Sequence, residues 1–189
     1  MTNHPHQIRA RGGEVDYDTD TRITPDEIFQ PLHKIHRFTI DVAANAENAR
    51  VPRFFDRAAN GLAHSWADEV AWCNPPFSDL YGWTSKAFHE VREGGCLSVV
   101  MLVPANRTEQ PWWQEFVEPY RENRDGFCRT HFVPRRRTFG TSTNPTGKYA
   151  GSPPFGIVLV TYAALVTFDD APKGPDRVLP GQCALFGGA

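Results

Sequence analysis

Apolar positions along the chain fall into short continuous runs that alternate with stretches of helical spacing, a pattern that predicts an α/β sheet covered on both faces. Ile28, Phe29, Leu32, Ile35 and His36 recur at helical spacing. Ahead of them, Thr24-Pro25-Asp26-Glu27 predicts a helix start, with Thr24 as the cap, Pro25 in the first turn and Glu27 completing a capping box. Residues 38–44 (FTIDVAA) read as a short buried strand ending in small residues. Phe54-Phe55-Asp56 is a candidate second strand, and Asn60-Gly61 marks a turn. The run Val70-Ala71-Trp72-Cys73 stops at Asn74-Pro75-Pro76-Phe77. Residues 80–92 carry apolar positions at helical spacing, closed by Gly94-Gly95. Residues 96–104 (CLSVVMLVP) form the clearest central strand, and a further helix is expected over 112–121. Two late strands are expected around 127–134 and 155–168.

The elements imply one Rossmann-like domain over residues 22–170, preceded by a mobile arm (1–21) and followed by a Pro/Gly-rich tail (171–189). At 189 residues, 40% hydrophobic and 22% charged, the chain can bury a full core. No run reaches the roughly 18 apolar residues of a membrane span, and the polar N-terminus lacks an apolar signal core, so a cytoplasmic location is expected. The net charge of −2 confines any nucleic-acid binding to a local patch. Cys73, Cys96, Cys128 and Cys183 form no C-x-x-C pair and read as reduced thiols. Cys128 and His131 make a C-x-x-H half-site with no second pair near it, so no metal is expected.

Ligands of such sheets sit beyond the carboxyl ends of the strands. Two of those ends carry unusual residues, Asp41-Val42-Ala43-Ala44 and Asn74-Pro75-Pro76-Phe77. Pro75 and Pro76 stiffen the turn and remove two backbone donors. The side-chain carbonyl of Asn74 and the main-chain carbonyl of Pro75 are two acceptors able to hold one –NH2 group, and Phe77 offers a flat face for a planar ring. Such a site grips an aromatic amine, adenine or cytosine, and turns its lone pair toward an electrophile. Ser152-Pro153-Pro154-Phe155 matches the same pattern but precedes a strand, which aims its acceptors at the wrong end of the sheet.

The segments TPDEIF, FTIDVAA, WCNPPF and VVMLVPANRTEQPWW, in that order, resemble the phage-encoded DNA N-6-adenine methyltransferases of the Dam type over roughly residues 22–168. The resemblance implies a phage or prophage enzyme of restriction-modification type. It implies a compact methyltransferase fold with a mostly parallel sheet and a C-terminal antiparallel strand pair. S-adenosylmethionine would be the methyl donor and a DNA adenine amine the acceptor. Asn74, Pro75, Pro76 and Phe77 match the catalytic motif; Thr24, Pro25, Asp41 and Ala43, with Asn74, match the cofactor-binding segments. Asp41 would accept hydrogen bonds from the methionine amino group. The Gly-rich loop of larger methyltransferases is absent, and about 30 residues between the motifs leave no room for two further βα units. Asp56 is the candidate for the cofactor ribose, with a plain surface Asp as the alternative. Trp66 is a candidate for lining the adenine pocket or, equally, a core residue.

Flipping adenine out of a duplex costs a few kcal/mol, so phosphate contacts are expected nearby. Arg135, Arg136, Arg137 and Lys148 lie in a net-positive stretch, and Arg107, with Thr108, sits just past a strand end. The terminal Gln182-Cys183-Ala184-Leu185-Phe186 resembles the pentapeptide by which bacterial proteins dock on the DNA sliding clamp, with Gln182, Leu185 and Phe186 as anchors. Two other readings stay open: methylation of the amino group of cytosine, and a DNA- or clamp-binding module without activity. Methylation of a protein glutamine also uses an Asn-Pro-Pro-aromatic site, but its expected N-terminal helical domain finds no room ahead of residue 22. Carbon-5 methylation of cytosine would need a cysteine nucleophile, and no Pro-Cys dipeptide occurs. Truncation after Gly181 is expected to abolish clamp binding in a pull-down while sparing methylation; clamp binding by the truncated chain would contradict the tail assignment.

Overall fold

The computed structural model describes residues 22–122, 126–140 and 155–164. Among these residues five strands form one open mixed sheet: β1 (Ile40–Asp41), β2 (Val70–Cys73), β3 (Ser98–Pro104), β4 (Cys128–Phe132) and β5 (Ile157–Ala163), in the order β1-β2-β3-β5-β4. β1, β2 and β3 pair in parallel, while β5 runs antiparallel to both β3 and β4. Four strands therefore point one way and β5 the other, which gives the mostly parallel sheet and the late antiparallel pair expected.

The helices α1 (Asp26–His36), α2 (Leu80–Arg92) and α3 (Pro111–Phe116) cover the sheet on both faces. All seven residues of β3 are buried, and its alternation sorts them between two cores. Val99, Met101 and Val103 pack with α2 and α3, whereas Val100 and Leu102 pack with Ile28, Phe29 and Leu32 of α1. This two-sided burial is why the strand reads as one uninterrupted apolar run. Among the described residues no helix is long and apolar enough to cross a membrane.

Several boundaries differ from the sequence pattern, each for a local reason. Helix α1 begins at Asp26 with Pro25 as its cap residue, and Thr24 makes no capping hydrogen bond. Its side chain is buried instead, and Glu27 turns to Arg137 rather than back to the cap. Ile35, at the edge of the apolar stripe, is 36% exposed. β1 spans two residues because the Asp41 carboxylate accepts the N–H groups of Ala43 and Arg50 and bends the chain away. Helix α3 starts at Pro111, whose fixed φ suits a first turn, and stops at Phe116, where residues 117–120 turn toward the sheet. β5 is described only to residue 164, so the remainder of that expected strand lies outside the described residues.

The connection from β1 to β2 is compact. Phe54 makes an isolated parallel bridge to Asp41, with the Asp41 N–H donating to Arg53 and the Phe55 N–H donating to Asp41, so β1 is flanked on both edges. Asn60 adopts the left-handed conformation (φ 57°) that Asn tolerates, and Gly61 follows in a one-turn 3-10 helix. A Cβ at Gly61 would stand 2.1 Å from the Val42 carbonyl oxygen, so only glycine allows this approach. Trp66 is closed over by Glu90 of α2, whose carboxylate accepts the Trp66 N–H (2.8 Å) and pairs with Lys86 (2.6 Å). Replacing Glu90 with Ala strands that buried N–H, and is expected to cost about 3 kcal/mol, a fall of roughly 6–12 °C in Tm by calorimetry; an unchanged Tm would show that the contact carries no stability.

Candidate functional site

The parallel register of β1 and β2 sets the site. Asp41 pairs with Trp72, so Asn74 stands two residues further along the neighbouring strand at the same end of the sheet. The Asn74 side chain is half-buried, and its Nδ2 donates to the Arg22 carbonyl at 3.2 Å. A carbonyl only accepts, so this partner identifies the –NH2 end of the amide and leaves Oδ1 as the acceptor for a ligand. Pro75 is buried and Pro76 half-buried, which fixes the turn. The Phe77 carbonyl accepts from Arg107 Nη1 at 3.0 Å, and its ring meets Phe155 edge-on at 5.9 Å between centroids. A cavity of about 350 Å³ opens beside this turn, walled by Phe77, Tyr81, Arg107, Gln110 and Trp112 among others.

Asp41 is 2% exposed. Its carboxylate accepts the Arg50 N–H at 3.0 Å and the Ala43 N–H at 3.4 Å. Burial dominates these contacts and pushes its pKa up to about 7, with the two N–H donors and the Arg50 charge pulling the other way. Arg50 itself pairs with Asp26 and lies over the Phe29 ring at 4.7 Å, which ties the loop after β1 to α1. Thr24 is buried, and its Oγ1 has no partner among the described residues. Cys73 is buried beside this site, and burial together with the Asp41 charge pushes its thiol well above the ordinary range. It is no thiolate nucleophile.

The structure therefore brings Asp41, Ala43 and Asn74 to the ends of β1 and β2, and Thr24 lies two residues after Arg22, whose carbonyl holds the Asn74 amide. Asp56 is exposed just beyond the segment that flanks β1, with its carboxylate accepting the Ala59 N–H at 2.7 Å. Trp66 is fully buried and donates Nε1 to the Gly61 carbonyl at 2.9 Å, so it is a core residue and lines no pocket mouth. Arg135 and Arg136 are exposed, whereas Arg137 pairs with Glu27 at 3.0 Å. Arg107 is engaged by the Phe77 carbonyl. Lys148, Gln182, Leu185, Phe186 and the Ser152-Pro153-Pro154 part of the second proline pattern lie outside the described residues. Cys128 and His131 are three apart on β4 and so face opposite sides of the sheet. Among the described residues no group of three or more His, Cys, Asp or Glu is placed to hold a metal.

Two participants escaped the sequence. Arg22 acts through its backbone carbonyl, which leaves no side-chain signature. The partners of Arg50 are distant in the chain, and only the Asp26 carboxylate ahead of α1's apolar stripe hints at them.

Residues 14–150 match the family described as DNA N-6-adenine-methyltransferase (Dam). The chain belongs to this family. It is 27% identical over 116 residues to the DNA N-6-adenine-methyltransferase of Escherichia phage T1, a match covering 60% of this chain and 43% of that protein. The chain thus matches less than half the length of that relative. No solved structure matches the chain.

The buried carboxyl makes a pH prediction. The folded state keeps the Asp41 proton up to about pH 7, while the unfolded chain releases it near the ordinary value of 3.8. Raising the pH through that window therefore lowers stability. Asp41→Asn removes this slope, so its Tm should change less between pH 4 and 7 than that of the parent chain; parallel Tm profiles would show that Asp41 titrates normally.

Proposed function

We propose that the chain transfers a methyl group from S-adenosylmethionine to the exocyclic amine of adenine in DNA. The observation that carries this reading is the amide of Asn74, held by Arg22 so that Oδ1 faces away as an acceptor, one strand from the buried carboxyl of Asp41. The family, and the name of the phage relative, favour adenine over cytosine and a phage origin.

The residues present fit the cofactor. Thr24 Oγ1 is a buried hydroxyl without a partner among the described residues, and Asp41 carries acceptor capacity beyond its two N–H donors. Asp41 and Thr24 would hold its methionine end, with Ala43 small enough for close approach and Asp56 toward the ribose. S-adenosylmethionine supplies an electrophilic methyl group when bound. Asn74 Oδ1 and the Pro75 carbonyl accept the two N–H bonds of the target amine, which turns its lone pair to the free side. Phe77 offers the flipped base an aromatic face. Once the nitrogen is alkylated its N–H is strongly acidic, so the proton leaves without a dedicated base. The rate comes from alignment and from fixed dipoles. The layout of parallel strands bearing this site at their carboxyl ends supports a Rossmann-like methyltransferase fold. The exposed Arg135 and Arg136 are the phosphate contacts of this reading, together with Lys148. Docking on the sliding clamp rests on the tail sequence alone and forms no part of the proposal.

Methyl transfer from labelled S-adenosylmethionine to unmodified DNA, followed by nucleoside analysis, tests it. Label in N6-methyladenine is expected, falling by about 10²–10³-fold in Asn74→Ala, the scale for losing one oriented polar group at a reacting atom. Label in cytosine would change the substrate base. Undiminished transfer by the variant would remove Asn74 from the reaction.

A further inference from the structure

Among the described residues the Asn74 amide donates to one main-chain carbonyl, that of Arg22, so what holds Arg22 helps to hold the acceptor. Ile23, the next residue, exchanges both backbone hydrogen bonds with Gly140 (2.9 and 3.0 Å). Gly140 ends a segment seated on α1 in two ways. Phe139 is buried with Ile28, Phe29 and Leu32 in the α1-side core. Arg137 Nη1 bonds Glu27 Oε1 at 3.0 Å in the first turn of α1. The guanidinium is turned inward: the Arg137 side chain is 30% exposed, and its Nε is buried without a partner among the described residues. Arg135 and Arg136, by contrast, are exposed.

We propose that Arg137 is a positioning residue for Asn74, acting through Glu27 and the Ile23–Gly140 pair, and not a phosphate contact. The chain of contacts runs from Arg137 and Glu27 to Gly140, from Gly140 to Ile23, and from the Arg22 carbonyl to Asn74 Nδ2. Loosening it lets the amide rotate and present a donor where the target amine, itself a donor, needs an acceptor. The inference rests on the methyl-transfer reading and adds to it a determinant outside the reacting turn. It also splits the arginine triplet by role, with Arg135 and Arg136 toward DNA and Arg137 toward the protein.

Glu27→Gln separates the two roles of Arg137. If Arg137 positions Asn74, losing the Glu27 charge lowers kcat by about two- to five-fold, the range for a partly exposed ion pair, with KM for DNA unchanged. If Arg137 contacts phosphate, the same change removes a competing negative charge and tightens DNA binding with kcat unchanged. Arg137→Glu is expected to lower kcat alike without altering the salt dependence of DNA binding, and the exchange Glu27→Arg with Arg137→Glu to restore kcat to within about twofold. A salt slope reduced by about one in Arg137→Glu, or no recovery in the exchange, would overturn the proposal. The side-chain NH2 resonances of Asn74 report the same event without turnover, and should shift in Glu27→Gln and return in the exchange. Resonances that stay in place would also overturn it. If the parent chain methylates no DNA, the methyl-transfer reading fails while these resonances still decide the contact chain.

Discussion

Everything at this site depends on the parallel pairing of β1 with β2. Parallel strands bring their carboxyl ends to the same edge, so the pairing of Asp41 with Trp72 brings Asp41 and Asn74 to one end of the sheet. An antiparallel pair would have sent one of them to the far side. The core makes the register firm: Ile40 and Ala71 belong to the cluster under α2, while Trp72 packs with Phe29 and Phe38 on the α1 side. A slip by one residue would exchange these faces.

Around that edge the protein accepts local costs. Thr24 forgoes the cap that its sequence position suggests, a contribution of about 1 kcal/mol to a helix, and its hydroxyl is buried without a partner among the described residues. Asp41 is buried with only partial compensation, which is why its pKa is raised to about 7. Both groups belong to the proposed cofactor site, where a ligand's polar groups would compensate them. Rules broken at a site and kept elsewhere are what a functional constraint leaves behind. Away from this edge the helices follow ordinary signals: Asp79 caps α2 through the Gly82 N–H, and Gly95, at φ 81°, follows its end.

Legibility followed the range of the interactions. Helix α2 and strands β2 and β3 were readable because their apolar periods are local and end at Pro or Gly. The Asn74–Phe77 turn was readable because two prolines after a buried strand have few other uses. Helix α1 starts one residue later than its Thr-Pro-Asp-Glu signal suggests, because Pro25, with extended backbone (φ −59°, ψ 143°), takes the cap position and Thr24 is buried without a capping bond. Trp66 was ambiguous in sequence, since an indole suits a core and a pocket equally, and its bond to the Gly61 carbonyl decides for the core. In the arginine triplet three adjacent residues look alike, and only the fold shows that Arg137 turns onto α1 while its neighbours face solvent.

The most direct test is a crystal structure with a non-reactive analogue of S-adenosylmethionine. The account predicts the analogue at the ends of β1 and β2, with its amino group about 2.7–3.2 Å from the Asp41 carboxylate and a polar atom bonded to Thr24 Oγ1. The Asn74 amide should remain on the Arg22 carbonyl. An analogue bound elsewhere, or an Asp41 carboxyl with no contact to it, would contradict the account.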